Sequence, residues 1–125
     1  MQQAFHLLPS QAQIRELYAS CDVWLAPSRS EGFNLTAMEA MACGTPVVST
    51  NTGWPVEAIK SYKNGLLTEI DDVDALVNGV KWFLDLPPVY WAQCSENARR
   101  TTEGCTWEKS AKLFEAVLTK CASKA

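Results

Sequence analysis

Two glutamates, Glu31 and Glu39, lie on either side of the start of a helix and could recognise a polar ligand. The loop 28–34 follows a short apolar run at 23–26 and leads into a segment rich in helix formers that begins at Leu35. In open α/β sheets, ligands bind at this place, where a buried strand ends and the next helix begins. The unpaired N–H groups and the positive dipole end of such a helix favour an anion, for which a diphosphate is suitable.

Other groups around the loop could add to such a site. Gly32 allows the backbone to approach a ligand closely, and the Thr36 hydroxyl is a further donor. Leu35 and Glu39 are four residues apart and share a helix face, so we expect Glu39 to face the same crevice as the loop. An ionised carboxylate accepts two hydroxyl donors at once, which suits a ribose diol or the vicinal hydroxyls of a sugar.

The spacing alone leaves a plainer interpretation open. Glu31 could merely complement the helix dipole, a contribution of about 0.3 to 1 kcal/mol, and Glu39 could be a solvated helix residue. The loop carries neither a GxGxxG pattern nor a Walker lysine, so it matches none of the general phosphate-loop motifs.

Nucleophilic and metal chemistry find no support in the sequence. Ser28 and Ser30 lack a GxSxG elbow, and the sole histidine, His6, is distant from both in sequence. The five cysteines are widely and irregularly spaced without a CxxC motif, which indicates free, buried thiols in a reducing compartment rather than a zinc site. We therefore expect no metal.

Helical and strand patterns alternate along the chain, which indicates an α/β architecture. Ser10 and Gln13 form a capping box before the first helix, and Gly44 is placed to end the second. The predicted strands are the apolar runs at 23–26, 46–49 and 66–68. The predicted helices cover about 11–20, 35–43, 73–84, 89–101 and 107–121.

Three of the five tryptophans have places that the sequence predicts. Trp24 and Trp107 occupy core-like positions, whereas Trp54 lies in a loop near the crevice and could contact a ligand. The last helix should bury one apolar face, formed by Trp107, Ala111, Phe114, Leu118 and Cys121.

The length of 125 residues, with 47% hydrophobic and 20% charged residues, fits one compact domain. The net charge of −3 and the absence of a basic cluster argue against nucleic acid or an anionic membrane surface as a partner. No signal peptide and no apolar run near the roughly 20 residues of a membrane span are present, so we expect a cytoplasmic protein.

The run from Glu31 to Val48, EGFNLTAMEAMACGTPVV, resembles the E-x7-E signature of the retaining, nucleotide-sugar-dependent glycosyltransferases of group 1 (family 4), which have the GT-B fold. Three flanking segments, 17–23, 64–67 and 106–108, are similar to the family's helix-to-strand entry, its late strand and the start of its last helix. The resemblance covers roughly residues 17–118.

This resemblance implies a donor site. Glu31 would be the catalytic residue that contacts hydroxyls of the transferred sugar, and Glu39 would hold the ribose of the nucleotide. The site would need no metal or other cofactor, with the nucleotide-diphosphate sugar as donor substrate. The backbone of the turn and the first helical residues would hold the diphosphate and sugar, at Gly32, Phe33, Asn34, Leu35 and Thr36.

Two departures from the family pattern limit what it implies. The family often has Gly where Asn34 stands, so the donor sugar does not follow from the motif. The family's Gly-Gly-x-x-Glu turn is altered at 52–57, so Glu57 receives no role.

The resemblance also implies that residues 1–125 are a single partial domain, a Rossmann-like three-layer α/β unit with a short parallel sheet, from the C-terminal domain of a GT-B enzyme. The N-terminal acceptor domain would be missing, so the chain alone should be inactive, and peripheral contact with a membrane would run through that missing domain. Two alternatives stay open: a non-catalytic nucleotide-sugar binding remnant and a fragment of a sugar-nucleotide epimerase.

The Rossmann-like strand order 3-2-1-4-5-6 makes a further prediction. Residues Ala4 to Leu7 would form strand 3, and the three apolar runs would form strands 4, 5 and 6. In this order strand 4 lies beside strand 1, and no segment of these residues is assigned to strands 1 and 2. The strand at Val23 to Ala26 would then have a bare edge, which invites pairing with another chain or a swapped dimer.

Overall fold

The computed structural model describes residues 3–124 of the chain. Helices and short strands alternate, in agreement with the predicted α/β class. The helices are α1 (Gln11–Ala19), α2 (Leu35–Ala42), α3 (Pro55–Ala58), α4 (Val73–Leu84), α5 (Pro88–Thr101) and α6 (Trp107–Ala122). The strands are β1 (Trp24–Ala26), β2 (Val47–Thr50) and β3 (Gly65–Thr68).

The three strands form one parallel sheet in the order β1-β2-β3. Trp24 lies opposite Val47, and Val47 lies opposite Gly65, so β2 is the central strand of the described sheet. Within residues 3–124, β1 pairs with β2 alone and its other edge is free, as the strand order predicted.

The core lies on both faces of the central strand. Neighbouring residues of a strand point to opposite faces, and here Val47 and Val48 are both fully buried. Val47 packs in a cluster with residues of α1, α2 and α5, while Val48 packs with Phe83 of α4 and Cys94 of α5. Helices therefore cover both faces of the sheet, which confirms the predicted three-layer arrangement.

Local signals position the helix that matters for function. α2 is rich in strong helix formers and ends at Ala42, with Cys43 as its C-cap, after which Gly44 takes the left-handed conformation with φ 81°. At the start of α1 the predicted capping box is present, with the Ser10 side chain accepting from the Gln13 N–H and the Gln13 side chain accepting from the Ser10 N–H.

The segment at residues 4–7 is not a strand, contrary to the prediction. Phe5 and Leu7 are 90% and 92% exposed, and no described strand lies beside them to complete a hydrogen-bonded ladder. An apolar run without a neighbour cannot form a sheet, so its composition misled the prediction.

The prediction that α6 buries an apolar face is also wrong. α6 has no buried residue, and Trp107, expected in the core, is 83% exposed. The amphipathic pattern of the helix is real, but no other described element packs on its apolar face.

The cysteines are all free, as expected, but only Cys94 is buried. Cys21 and Cys43 are half-buried, and Cys105 and Cys121 are exposed, so the expectation of buried thiols fails at the last two positions. Both lie at or near the exposed helix α6. None of the helices in the described part of the chain is long and apolar enough to cross a membrane.

Candidate functional site

The predicted site is built around the sharp turn that leads into α2. Asn34 is the N-cap residue and adopts a left-handed conformation, with φ 77° and ψ 65°. Its Oδ1 accepts hydrogen bonds from the Ala37 N–H at 3.2 Å and from the Thr36 hydroxyl at 2.9 Å. These bonds fix the first turn of the helix, as an N-cap side chain does.

The first backbone amides of α2 are available to a ligand. The Ala37 N–H is used by the cap and the Met38 N–H donates to the carbonyl of Asn34. The N–H groups of Leu35 and Thr36 have no acceptor among residues 3–124. Two free donors at the positive end of a helix dipole form a suitable place for an anion.

The loop between β2 and α3 packs against the turn and holds it in place. The Trp54 N–H donates to the Phe33 carbonyl at 2.7 Å, and the Trp54 ring stacks on the Phe33 ring with centroids 5.9 Å apart. A Cβ on Gly53 would lie 2.6 Å from that same carbonyl oxygen and 3.0 Å from Cβ of Glu31. The backbone of Gly53 lies so close to the turn, and at a positive φ of 63°, that only glycine fits this position.

Glu31 is half-buried at the base of the turn, beside Gly53. Its Oε1 accepts a hydrogen bond from the Ser28 hydroxyl at 2.7 Å. Ser28 itself is held through its carbonyl, which accepts from the Thr50 hydroxyl at the end of β2. Glu31 is thus oriented by a side chain that the sequence analysis considered only as a nucleophile.

Glu39 is exposed on α2 and makes one hydrogen bond to a buried partner. The Tyr18 hydroxyl donates to Glu39 Oε2 at 3.0 Å. Burial, together with the hydrogen bond to Glu39 and its negative charge, raises the pKa of Tyr18 to about 12. In this bond the Tyr18 hydroxyl is the donor and Glu39 Oε2 the acceptor.

Gly32 lies beside open space. A Cβ on this residue would meet no atom within 4 Å, so the folded chain does not itself require glycine there. Phe33 and Leu35, on either side of Asn34, are 43% and 51% exposed. The predicted site is therefore an open surface bounded by two apolar side chains.

Sequence reasoning missed three residues of this arrangement. Tyr18 lies in α1, outside the E-x7-E motif, so no motif marks it, although a buried tyrosine hydroxyl usually has a hydrogen-bond partner. Ser28 and Gly53 contact Glu31 from positions that no local pattern connects with it.

Arg29 is the cation nearest in sequence to the turn. Its Nε lies 2.6 Å from Oδ1 of Asp71, in the loop after β3, and both side chains are largely exposed. Such a pair adds little stability, but it joins two loops at the carboxyl edge of the sheet.

A separate cavity of about 570 Å³ shares only Trp54 with the predicted site. It is lined by Trp54, Glu57, Ala58, Lys60, Lys63, Asn64, Asn97 and Thr101. Its buried amide, Asn64, already donates both N–H groups, to Ala58 O and the Thr101 hydroxyl, and its Oδ1 accepts from Lys60 N. The turn at α2, with its free amides and oriented carboxylates, is therefore the better candidate.

Within residues 3–124 there is no group of three or more His, Cys, Asp or Glu side chains that could hold a metal ion.

Residues 1–101 match the family described as "Glycosyl transferases group 1". The chain is 37% identical over 106 residues to the lipopolysaccharide core biosynthesis mannosyltransferase LpsB of Rhizobium meliloti (strain 1021), an alignment that covers 83% of this chain and 30% of the relative. It is 35% identical over 106 residues to the D-inositol 3-phosphate glycosyltransferase of Rhodococcus opacus (strain B4), covering 83% of this chain and 24% of the relative.

Solved structures give the same result for the fold. Sucrose-phosphate synthase from Thermosynechococcus elongatus matches with a TM-score of 0.77 at 29% identity, over 87% of this chain and 27% of that one. HepE from Anabaena, solved in complex with UDP and glucose, matches with a TM-score of 0.75 at 26% identity, over 90% of this chain and 31% of that one.

These solved structures are GT-B glycosyltransferases, so the predicted fold class is confirmed. The chain spans about a third or less of the length of each of these relatives and solved structures. On the match to the family over residues 1–101 and the identity to its curated relatives, the chain belongs to the group 1 glycosyl transferases.

Proposed function

We propose that this chain supplies the nucleotide-sugar donor site of a retaining hexosyltransferase. The observation that carries the proposal is the pairing of two carboxylates with one turn: Glu31 and Glu39 flank the amides of Leu35 and Thr36, and each is held by its own hydroxyl donor. HepE, to which the chain is similar, was solved with UDP and with UDP-glucose, which supports a donor of this class.

The charges of the site determine which part of the donor each group takes. A carboxylate is repelled by a diphosphate, so Glu31 and Glu39 should face hydroxyl groups, on the transferred sugar and on the ribose respectively. The diphosphate takes the free amides at the start of α2, and the sugar takes the open space beside Gly32. The Thr36 hydroxyl, expected from the sequence to be a further donor, gives its proton to Asn34 Oδ1 and supports the turn instead. In this assignment the amides and the helix dipole, not a metal, stabilise the diphosphate.

Transfer needs more than this half-site. A retaining reaction in this fold requires an acceptor held against the donor face on which the diphosphate departs, and positioning of the two reactants supplies a large part of the rate. The partner in the whole protein is then an acceptor-binding domain, and we expect the 125-residue chain alone to bind donor without transferring sugar.

Calorimetric titration of the 125-residue chain with UDP, GDP and ADP, and with UDP-glucose, tests the proposal. Glu39→Gln should weaken binding of the preferred nucleoside diphosphate about ten- to a hundredfold, the value of a lost hydrogen bond to a charged group. Glu31→Gln should weaken UDP-glucose but leave UDP nearly unchanged, since Glu31 contacts the sugar.

Glu57→Gln is the matched control, an exposed carboxylate on α3 that receives no role here. Equal losses of UDP in all three variants would contradict the assignment of Glu31 and Glu39. Absence of binding to UDP, GDP and ADP at millimolar concentration would overturn the donor-site proposal itself.

A further inference from the structure

The bond between Tyr18 and Glu39 joins two residues that are 21 positions apart and differ sharply in burial. Tyr18 is 6% exposed, whereas Glu39 lies on the exposed face of α2. A long, exposed carboxylate side chain ordinarily samples several rotamers, and ordering it on binding costs free energy. A fixed hydroxyl donor at 3.0 Å selects one orientation of Glu39 before any ligand arrives.

The donor is fixed because Tyr18 is held at both ends. Its ring packs edge-on against Trp24 of β1, with centroids 4.8 Å apart and planes at 68°, and lies in the core with Ala37 and Met41. Its backbone carbonyl accepts a hydrogen bond from the Thr45 hydroxyl at 2.6 Å. The phenol oxygen is therefore placed by α1, the sheet and the loop after α2 together.

The contact also divides the acceptor capacity of Glu39. Tyr18 occupies one site on Oε2, and a carboxylate has about four acceptor sites. Oε1 and the second site of Oε2 remain for a ligand, enough for the two hydroxyls of a ribose. The single proton of the Tyr18 hydroxyl is donated to Glu39, so Tyr18 uses one acceptor site of the carboxylate and leaves the others to the ribose hydroxyls.

We propose that Tyr18 is a positioning residue that preorganises Glu39 to accept the ribose diol of the donor nucleotide. This inference rests on the proposed function. Tyr18 does not touch the nucleotide; it acts through Glu39 alone, so its effect should depend on both Glu39 and the ribose hydroxyls.

The test compares UDP with its 2′,3′-dideoxy analogue, which lacks the diol, on wild type, Tyr18→Phe, Glu39→Gln and the double variant. Tyr18→Phe keeps the ring and its packing. We expect it to weaken UDP about three- to tenfold, the effect of one hydrogen bond, and to leave the dideoxy analogue unchanged. In the Glu39→Gln background, Tyr18→Phe should weaken UDP by a smaller factor than in wild type and leave the dideoxy analogue unchanged, because the neutral amide oxygen is a weaker acceptor than the carboxylate.

Tyr62→Phe is the control, since Tyr62 is exposed and packs edge-on against Trp82, away from Glu39. A purely structural role of Tyr18 would weaken UDP and the dideoxy analogue equally, or weaken UDP by the same factor with and without Glu39, and either result overturns the inference. If wild type prefers UDP over the dideoxy analogue but Tyr18→Phe keeps the same preference, the inference fails while the donor site stands. If wild type binds neither nucleotide, the proposed function fails as well.

If Tyr18→Phe does not fold, an NMR measurement on the wild-type protein tests the same contact. The Tyr18 hydroxyl proton should be visible by NMR as a slowly exchanging downfield resonance, and it should persist when UDP is added. Its loss in Glu39→Gln supports the contact, whereas its disappearance on UDP binding would show that Tyr18 releases Glu39 and would overturn the proposal.

Discussion

Asn34 combines a favourable cap with two unfavourable features. Its Oδ1 caps α2, but its backbone is left-handed and its Nδ2 is buried without a hydrogen-bond partner among the described residues. An unpaired buried amide costs about 1 to 3 kcal/mol, and the left-handed region is less favourable for Asn than for Gly, although Asn adopts it more readily than other residues. The residue is thus suited to the turn only in part.

Asn34→Ala should lower the free energy of unfolding by about 1 to 3 kcal/mol, since it removes the cap and places in the left-handed region a residue that tolerates it less well than Asn. Asn34→Gly removes the same cap but relieves the strain and deletes the unpaired Nδ2, so we expect a change within about 1 kcal/mol. Urea denaturation of both variants measures the difference. Equal destabilisation by Ala and Gly would show that strain at φ 77° is not significant.

The two glycines of the site should respond differently to alanine. Gly53→Ala brings a Cβ within 2.6 Å of the Phe33 carbonyl at a positive φ, and should destabilise the protein by about 1 to 3 kcal/mol. Gly32→Ala meets open space and should change stability by less than about 0.5 kcal/mol, while it weakens UDP-glucose if the sugar occupies that space. Thermal unfolding and calorimetry separate the effects, and a destabilised Gly32→Ala would contradict this account.

Tyr18 should make stability fall in alkali. Its pKa in the folded state is raised to about 12 from 10.0, so between these values the folded protein holds a proton that the unfolded chain has lost. The stabilisation is complete below pH 10.0 and is lost as pH rises through about 12. The stability difference between wild type and Tyr18→Phe should shrink by about 2 kcal/mol across this window. Urea unfolding of both proteins at several pH values checks the trend; a constant difference would contradict it.

At the scale of elements, the sequence predicted those features that local chemistry determines. Capping at Ser10 and the glycine at Gly44 placed helix ends within one or two residues of their positions in the structure. The four-residue helix α3 was missed, because it is one turn long and no side chain caps it; Pro55 and Glu57 in that turn are its only local signals. Within the site, the E-x7-E motif identified both glutamates, but Tyr18 and Gly53 act through contacts across the chain that no spacing reveals.

Residues 4–7 and α6 show why the other predictions failed. An apolar stripe predicts that an element can be buried, but burial needs a partner surface, which the stripe's own sequence does not contain. Both segments have the apolar pattern of packed elements and remain exposed in the described chain. The pattern predicted the correct element type for α6 but not for residues 4–7, and in both segments packing depended on the surrounding structure.

α6 should contribute little to the stability of the remaining fold. It buries no residue, and an isolated helix of this length is marginal in water. Removal of residues 106–125 should leave the free energy of unfolding within about 1 kcal/mol of the full chain. As a check of sensitivity, Phe83→Ala, at a fully buried position of α4, should cost about 3 to 5 kcal/mol. A truncated chain that loses cooperative unfolding would show that α6 packs on the fold in solution.

At the scale of the whole molecule, the free edge of β1 and the exposed apolar residues should favour self-association. β1 offers unpaired backbone groups, and Leu25 in its centre is 46% exposed. Strand edges of this kind pair with other chains unless a charge, a proline or a covering segment prevents it. The net charge of −3 gives only weak repulsion between copies.

We predict a concentration-dependent dimer through β1, which Leu25→Lys should weaken at least about tenfold, since a lysine at a strand edge has to be desolvated for a second strand to pair. Leu113→Lys is the matched control, because Leu113 is an exposed leucine of α6 and lies outside the sheet. Sedimentation velocity over a range of concentrations measures both variants, and amide exchange at Leu25 should slow as the dimer forms, since the Trp24 N–H already donates to Pro46. If Leu113→Lys dissociates the dimer and Leu25→Lys does not, the apolar face of α6 is the contact between copies and the strand edge is not.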